Sequence, residues 1–269
     1  MFYGKLPIII LSEIASSKSD SMNGHIAAYI LSHLKEIKND TIRELAGKMN
    51  VSTSSISRFC RDIGLSDYSE LKRLAMDTKM NFEIYSFSDT ALQRKDDYIS
   101  AVEESLEQVR SSIDMNTVRK LCKDIRRYEK IAVFGLLKAE GVALNLQTDL
   151  ILQGKHVVTK LPFSEQIDYL ENADEHCLVI IFSYTGIYFD YGLPKSFKKP
   201  RGLRPKVYFI TSDPTAKDKG YFDEVIWFNS RQNQVSHPFQ LQMVGSLIAQ
   251  RYAHLLLEEQ EVVEQTIKQ

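Results

Sequence analysis

Arg58 and Arg61 stand three apart in the run Ser52-Thr53-Ser54-Ser55-Ile56-Ser57-Arg58-Phe59-Cys60-Arg61. A guanidinium presents a fixed fork of donors that matches O6 and N7 of guanine, and hydroxyls beside it can donate to phosphate. At about 100° per residue, Ser54, Ser57, Arg58 and Arg61 fall on one side of a helix and Ile56 on the other. The outer side thus carries small hydroxyls and two cations, with no Glu and no bulky aliphatic. Ser52 and Thr53 at the helix start extend the donor set. These six residues are the candidate contacts to DNA. An ordinary helical hairpin with a solvated face would show the same pattern, so the pattern alone leaves both readings open.

The elements that must position those side chains are legible around them. Ile42, Leu45, Ala46 and Met49 follow the i, i+3, i+4, i+7 spacing of one apolar helix stripe. Thr41 with Glu44 has the form of a capping box. Asn50-Val51 interrupts that helix, and Ser52 is suited to cap the next. In the second helix Ile56, Phe59, Cys60 and Ile63 repeat the spacing, and Gly64 marks its end. Two short helices, each buried on one face and joined by a tight connection, predict a helix-turn-helix.

The run VSTSSISRFCRDIGLSDYSELK resembles the helix-turn-helix of the RpiR family, in which a Val-Ser turn precedes a recognition helix with Arg-Phe-Cys and then Gly-Leu or Gly-Phe. HIAAYILSHL and TIRELA upstream are similar to the helices that precede it in that family. The resemblance covers roughly the first 80 residues. It implies a transcriptional regulator with a C-terminal sugar-isomerase (SIS) domain that senses phosphorylated sugars and self-associates.

The whole chain has 269 residues, enough for two domains. Its 43% hydrophobic and 26% charged residues are those of a soluble globular protein. A net charge of −1 provides no global attraction to nucleic acid, and residues 1–80 hold 11 Lys/Arg against 9 Asp/Glu. DNA binding must therefore rest on local placement of cations, doubled by a homodimer. The apolar run Pro7 to Leu11 is too short for a membrane span or a signal segment. Cys60, Cys122 and Cys177 lie in apolar settings without Cys-x-x-Cys spacing, which predicts reduced core cysteines in a cytoplasmic protein and no metal site.

Along the chain, helices are predicted over 5–16 and 22–37, and a closing helix through Tyr68, Leu71, Leu74 and Ala75 completes a five-helix module. Its Lys72, Arg73 and Lys79 are placed to flank DNA, or simply form a solvated face. Residues 81–95 lack a period and read as linker. The helical period returns from Asp96 to about Arg127, broken near Asp114 and Thr117. Then the texture changes. Short apolar runs at 130–135, 177–183, 206–211 and 224–229, with a weaker one at 156–158, alternate with helices near 139–153, 163–172 and 238–259. The expected architecture is an all-α helix-turn-helix domain (1–80), a linker and helical connection (81–110), and an α/β domain (111–269). That second domain should be a doubly wound, five-stranded parallel sheet of SIS-like form. In such sheets ligands bind at the C-terminal strand ends, here the loops after Phe134, Phe182 and Ile210.

Two of these loops can be set beside the SIS pattern. Gly-x-Gly-x-Ser becomes Gly135-Leu136-Leu137-Lys138-Ala139, which keeps only the first Gly. Ser-x-Ser-Gly-x-Thr becomes Ser183-Tyr184-Thr185-Gly186-Ile187-Tyr188, which keeps two hydroxyls and the Gly. The ligand candidates are Gly135, Lys138, Ser183, Thr185 and Gly186. Gly192, Pro194, Pro200, Gly202 and Pro205 are too dense for a helix to follow. The six Lys and Arg among them form a solvated loop or, less simply, an anion site. Sugar-phosphate isomerisation would need a base, and Glu140, Glu165, His176 and His237 stand in no motif that marks one. His237 reads first as a helix-start residue. No catalytic residue and no cofactor is expected. A third reading keeps the SIS-like domain as a dimerisation platform without a ligand.

Overall fold

In the computed structural model, which describes residues 5–18, 20–76, 84–190 and 192–267, the chain divides into two units. The first comprises residues 1–82 with 160–169 and 190–193, and the second residues 83–159, 170–189 and 194–269. Residues 160–169 join the first unit far along the sequence, and there the buried Ser12 hydroxyl donates to the Leu161 carbonyl at 3.0 Å.

The first unit is built from α1 (Lys5–Ser16), α2 (Met22–Ser32), α3 (Leu34–Ile37), α4 (Ile42–Met49), α5 (Thr53–Asp62) and α6 (Tyr68–Met76). The single helix expected over 22–37 is corrected to two. His33 leaves the helical region at φ −122°, and its ring stacks on Tyr29 with centroids 4.0 Å apart. Each apolar stripe turns inward: Leu6, Ile9 and Ile10 from α1, Ile26 and Ile30 from α2, and Ile56, Phe59 and Cys60 from α5 are all buried. Each large side chain so buried contributes about 1.5–3 kcal/mol before entropy is charged against it.

The second unit begins with α7 (Ala91–Ser112) and α8 (Met115–Arg127). Asp114 separates them as the N-cap of α8, accepting from Asn116 N–H at 2.9 Å. There follow along the chain β1 (Lys130–Phe134), α9 (Lys138–Leu152), α10 (Phe163–Asn172, of which residues 163–169 belong to the first unit), β2 (Cys177–Phe182), β3 (Lys206–Thr211), β4 (Glu224–Trp227) and α11 (Ser236–Ile267). Of the expected linker, 81–83 lie outside the described residues, and α7 starts at Ala91, before the helical period becomes clear in the sequence.

The sheet has four parallel strands in the order β1-β2-β3-β4, not five. Register runs Ile131↔Leu178, Ile180↔Tyr208 and Ile210↔Ile226. The segment expected as a fifth strand is a single bridge. Val158 pairs with Ala132, accepting from Val133 N–H and donating to Ile131 O at 2.9 Å each. Seven residues separate the turn at Gly154 (φ +79°) from Pro162, and among them Val158 alone forms a bridge, so no ladder extends from it. The bridge still matters. It lies on the far side of β1 from β2, so the chain's crossover direction reverses at β1, and the switch point falls between the β1 and β2 loops. Helix α9 packs on β1 and β2, α8 on β4, and α11 across α7, α8 and α9.

No α-helix joins β2 to β3 among the described residues. Short 3-10 turns stand at Tyr188–Asp190, Lys195–Lys198 and Arg201–Leu203, as the Gly and Pro density implies. Phe189, Phe197, Phe209 and Phe222 hold this segment together, and the buried Arg204 guanidinium lies 5.1 Å from the Phe197 ring centre. No helix among the described residues is long and apolar enough to cross a membrane.

Candidate nucleic-acid interface and effector loops

The local chemistry of α4 and α5 fixes the outer face of α5. The Thr41 hydroxyl accepts from Glu44 N–H at 3.3 Å, and the Glu44 carboxylate accepts from Thr41 N–H at 2.7 Å. That reciprocal cap holds the Glu44 carboxyl below the usual range, chiefly through the Thr41 N–H. Helix α4 ends on Asn50 in the left-handed region (φ 53°), and the chain turns at once into Ser52. Ser52 caps α5 by accepting from Ser55 N–H at 3.0 Å. At the other end Leu65 N–H bonds Cys60 O at 2.8 Å across Gly64, whose φ of +80° suits only glycine without strain. Asn23 donates to Asp62 at 3.1 Å and ties the last turn of α5 to α2.

The result is a helix with one face buried and the other free. Ser52, Thr53, Ser54, Arg58 and Arg61 are exposed and Ser57 is half-buried. Among the described residues Arg58 and Arg61 enter no ion pair, whereas Lys48 pairs with Asp40 and Glu36, and Arg73 with Glu70. Two unpaired guanidiniums on a rigid helix are thus available to an anionic partner. Lys72 is half-buried, Arg73 is exposed, and Lys79 lies outside the described residues. Burial pushes the Cys60 thiol up to about 12, which makes it a core group and not a reactive one.

The effector candidates lie on the β1 and β2 loops, and the start of α11 ties the two together. In the β1 loop the Cα of Gly135 abuts the backbone of Ala139 and Glu140, so no side chain fits there. Leu137 has φ 56° and ψ −114°, a glycine conformation held by a leucine at the position where the resembled pattern has its second Gly. Lys138 is exposed, and its Nζ lies 3.4 Å from Gln234 O, just before α11. In the β2 loop the buried Ser183 hydroxyl accepts from Tyr188 N–H at 3.3 Å and keeps its own proton to donate. Thr185 is half-buried. Tyr184 turns inward, donating to Gln240 at 3.0 Å, bonding Ser230 and packing 4.4 Å from the His237 ring.

Two residues of this region carry no motif. Asp213, after β3, lies against Gly186, and its carboxylate meets Lys219 at 3.0 Å while Lys219 also donates to Gly186 O at 2.9 Å. Burial would raise that carboxyl, but the Thr215 hydroxyl and N–H and Lys219 hold it below the usual range. The signal that could have found Asp213 is its place at the C-terminal end of a strand. Glu140, in the first turn of α9, is buried and pushed up to about 7 by that burial, against the Leu137 N–H.

The base candidates separate. Burial, then the nearby Lys138 ammonium, drive His237 down to about 3, so it stays neutral across the physiological range. His176 is exposed at the opposite end of the sheet, beside the start of β2. Glu165 is exposed and paired with Lys160 at 3.3 Å.

A capped helix pair with a cationic outer helix, followed by a parallel α/β unit, defines a helix-turn-helix protein carrying a second, α/β domain. Residues 9–80 match the family model for the helix-turn-helix domain of the rpiR family. Those residues therefore form an rpiR-family helix-turn-helix domain. An HTH-type transcriptional regulator of Providencia stuartii is 27% identical over 172 residues, 60% of this chain and 59% of that protein. One from Caldanaerobacter subterraneus subsp. tengcongensis is 38% identical over 65 residues, 24% of this chain and 23% of its own. These matches thus span less than two thirds of either relative. The Vibrio vulnificus NanR protein, solved in complex with ManNAc-6P, shares the fold with a TM-score of 0.54 at 16% identity, over 98% of this chain and 97% of its own.

Proposed function

We propose that the chain is a DNA-binding transcriptional regulator of carbohydrate-metabolism genes, with α5 as its recognition helix. The observation that carries this is the exposed outer face of α5, on which Ser54, Arg58 and Arg61 stand free over a fully buried inner face. Residues 1–80 form the DNA-binding part, 81–110 the connection, and 111–269 the effector and dimerisation part. A homodimer presents two recognition helices to two half-sites, which one helix reading few bases needs for usable specificity. The effector is a phosphorylated sugar held between Gly135, Lys138, Ser183, Thr185 and Gly186, and the likeness in fold to a protein solved with ManNAc-6P supports that class. The relatives are named as transcriptional regulators, which supports a non-enzymatic, cytoplasmic protein.

The test is fluorescence anisotropy on a duplex from upstream of the chain's own gene, with and without sugar phosphates. Salt-dependent binding that a sugar phosphate alters is expected. Binding no tighter than to a scrambled duplex would contradict the reading. An effector acts only through unequal affinity for the DNA-competent and incompetent states. A second reading, the dimerisation platform, is favoured by the lost hydroxyl at Ala139 and the leucine at 137. It predicts DNA binding indifferent to every sugar phosphate.

A further inference from the structure

Glu140 is only 7% exposed, and its Oε2 has no hydrogen-bond partner among the described residues. Buried polar oxygens are almost always satisfied, and a carboxyl left unsatisfied costs stability that an apolar side chain of like size would not. No described cation pairs with it, and the ammonium of nearby Lys138 is directed to Gln234 O. The side chain belongs to the first turn of α9, and its carboxyl turns back toward the β1 loop, where the Leu137 N–H is within reach. Gly135 lies directly against the Glu140 backbone. The free oxygen therefore sits beside the switch point of the sheet, where α/β domains bind their ligands.

None of Gly135, Lys138, Ser183, Thr185 and Gly186 carries a carboxyl, and the Asp213 carboxylate beside Gly186 is engaged by Lys219 and Thr215. Ser183 and Thr185 supply hydroxyls and Lys138 a cation, all suited to an anionic end of a ligand. A sugar's remaining hydroxyls, or an amine, are donors and need an acceptor. Ala139 provides none. We propose that Glu140 reads the sugar end of the effector, its unpartnered carboxyl oxygen accepting a hydrogen bond from a ligand hydroxyl or ammonium group. This rests on the effector reading above. It assigns to one residue of this chain the acceptor role that the substituted β1 loop no longer offers through a side-chain hydroxyl.

The experiment is isothermal titration of the full-length protein, wild type, Glu140→Leu, Glu140→Gln and Ser183→Ala, with glucose 6-phosphate, glucosamine 6-phosphate and N-acetylmannosamine 6-phosphate. At least one probe is expected to bind the wild type, and Glu140→Leu to weaken it tenfold or more while melting no lower without ligand. Preference for glucosamine 6-phosphate marks an ammonium donor, and preference for glucose 6-phosphate a hydroxyl; either supports the proposal when Glu140→Leu abolishes it. Should Glu140→Leu not fold, a threefold or greater loss in Glu140→Gln with unchanged circular dichroism serves instead. Affinity within twofold of wild type in the variant that folds, while Ser183→Ala loses binding, overturns this assignment alone. A wild type that binds none of the probes overturns the effector reading along with it. Aldose–ketose interconversion by the wild type, lost in Glu140→Gln, would overturn the reader role in favour of proton transfer.

Discussion

The Asp213 carboxylate lies against the Cα of Gly186, leaving no room there for a side chain. Gly186 also holds φ +74°, so both space and backbone demand glycine. Lys219 clasps the pair, bonding Asp213 and the Gly186 carbonyl at once. Gly186→Ala is expected to cost about 1–3 kcal/mol and to abolish any effector response. Urea denaturation measures the first and titration the second; a Gly186→Ala protein as stable as wild type would contradict the packing described.

The helix-turn-helix depends on its core and caps in different degrees. Phe59 is fully buried, and Phe59→Ala should cost about 3–5 kcal/mol. Thr41→Ala removes one half of a reciprocal cap and should cost about 1 kcal/mol. Thermal melts should rank the two in that order, with DNA affinity at a temperature where both remain folded affected only slightly. Equal losses would contradict the burial of Phe59.

Two desolvated groups, the half-buried His237 and the buried Glu140, give opposite pH dependences. His237, lowered to about 3 in the folded chain, binds its proton more readily when unfolded, so its stabilisation is complete above about 6.5 and falls as pH drops below that. Glu140, raised to about 7, binds its proton more readily when folded, so stability falls as pH rises from about 4.5 to 7. His237→Gln should flatten the acid limb of a stability–pH curve, and Glu140→Gln the limb approaching neutrality. Unchanged curves in both variants would contradict the burial of these groups.

Self-association is testable without DNA. Sedimentation of the full chain at micromolar concentration should give a dimer, and residues 1–80 alone should bind the upstream duplex far more weakly, having lost the linked half-site. A monomeric full-length chain would contradict this.

The helix starts and the strands were readable because each has a local cause. Thr41 with Glu44, Ser52 and Asp114 are caps whose partners lie two or three residues away, and all four strand cores are unbroken apolar runs. The break at His33 was hidden because the apolar spacing of Ile26, Ile30 and Leu34 continues through it. His156-Val157-Val158 has strand-like residues, yet its pairing with β1 stops at the single Val158 bridge. The outer face of α5 followed from helical period alone, since nothing else needs to be known to say which side Arg58 takes. The effector region did not. Asp213 meets Gly186 from another strand's end, and the burial of Glu140 depends on packing that no spacing reveals.

The central claim is that Arg58 and Arg61 hold DNA. Its most direct measurement is the affinity of Arg58→Ala and Arg61→Ala for the upstream duplex across a salt series, with circular dichroism to show intact folding. Both side chains are exposed and unpaired, so neither substitution disturbs the core. Removing a guanidinium that forks onto a base should cost about 1–3 kcal/mol, and removing one that neutralises a phosphate should reduce the salt slope by about 1. Affinity and salt slope unaltered in both variants would contradict the account.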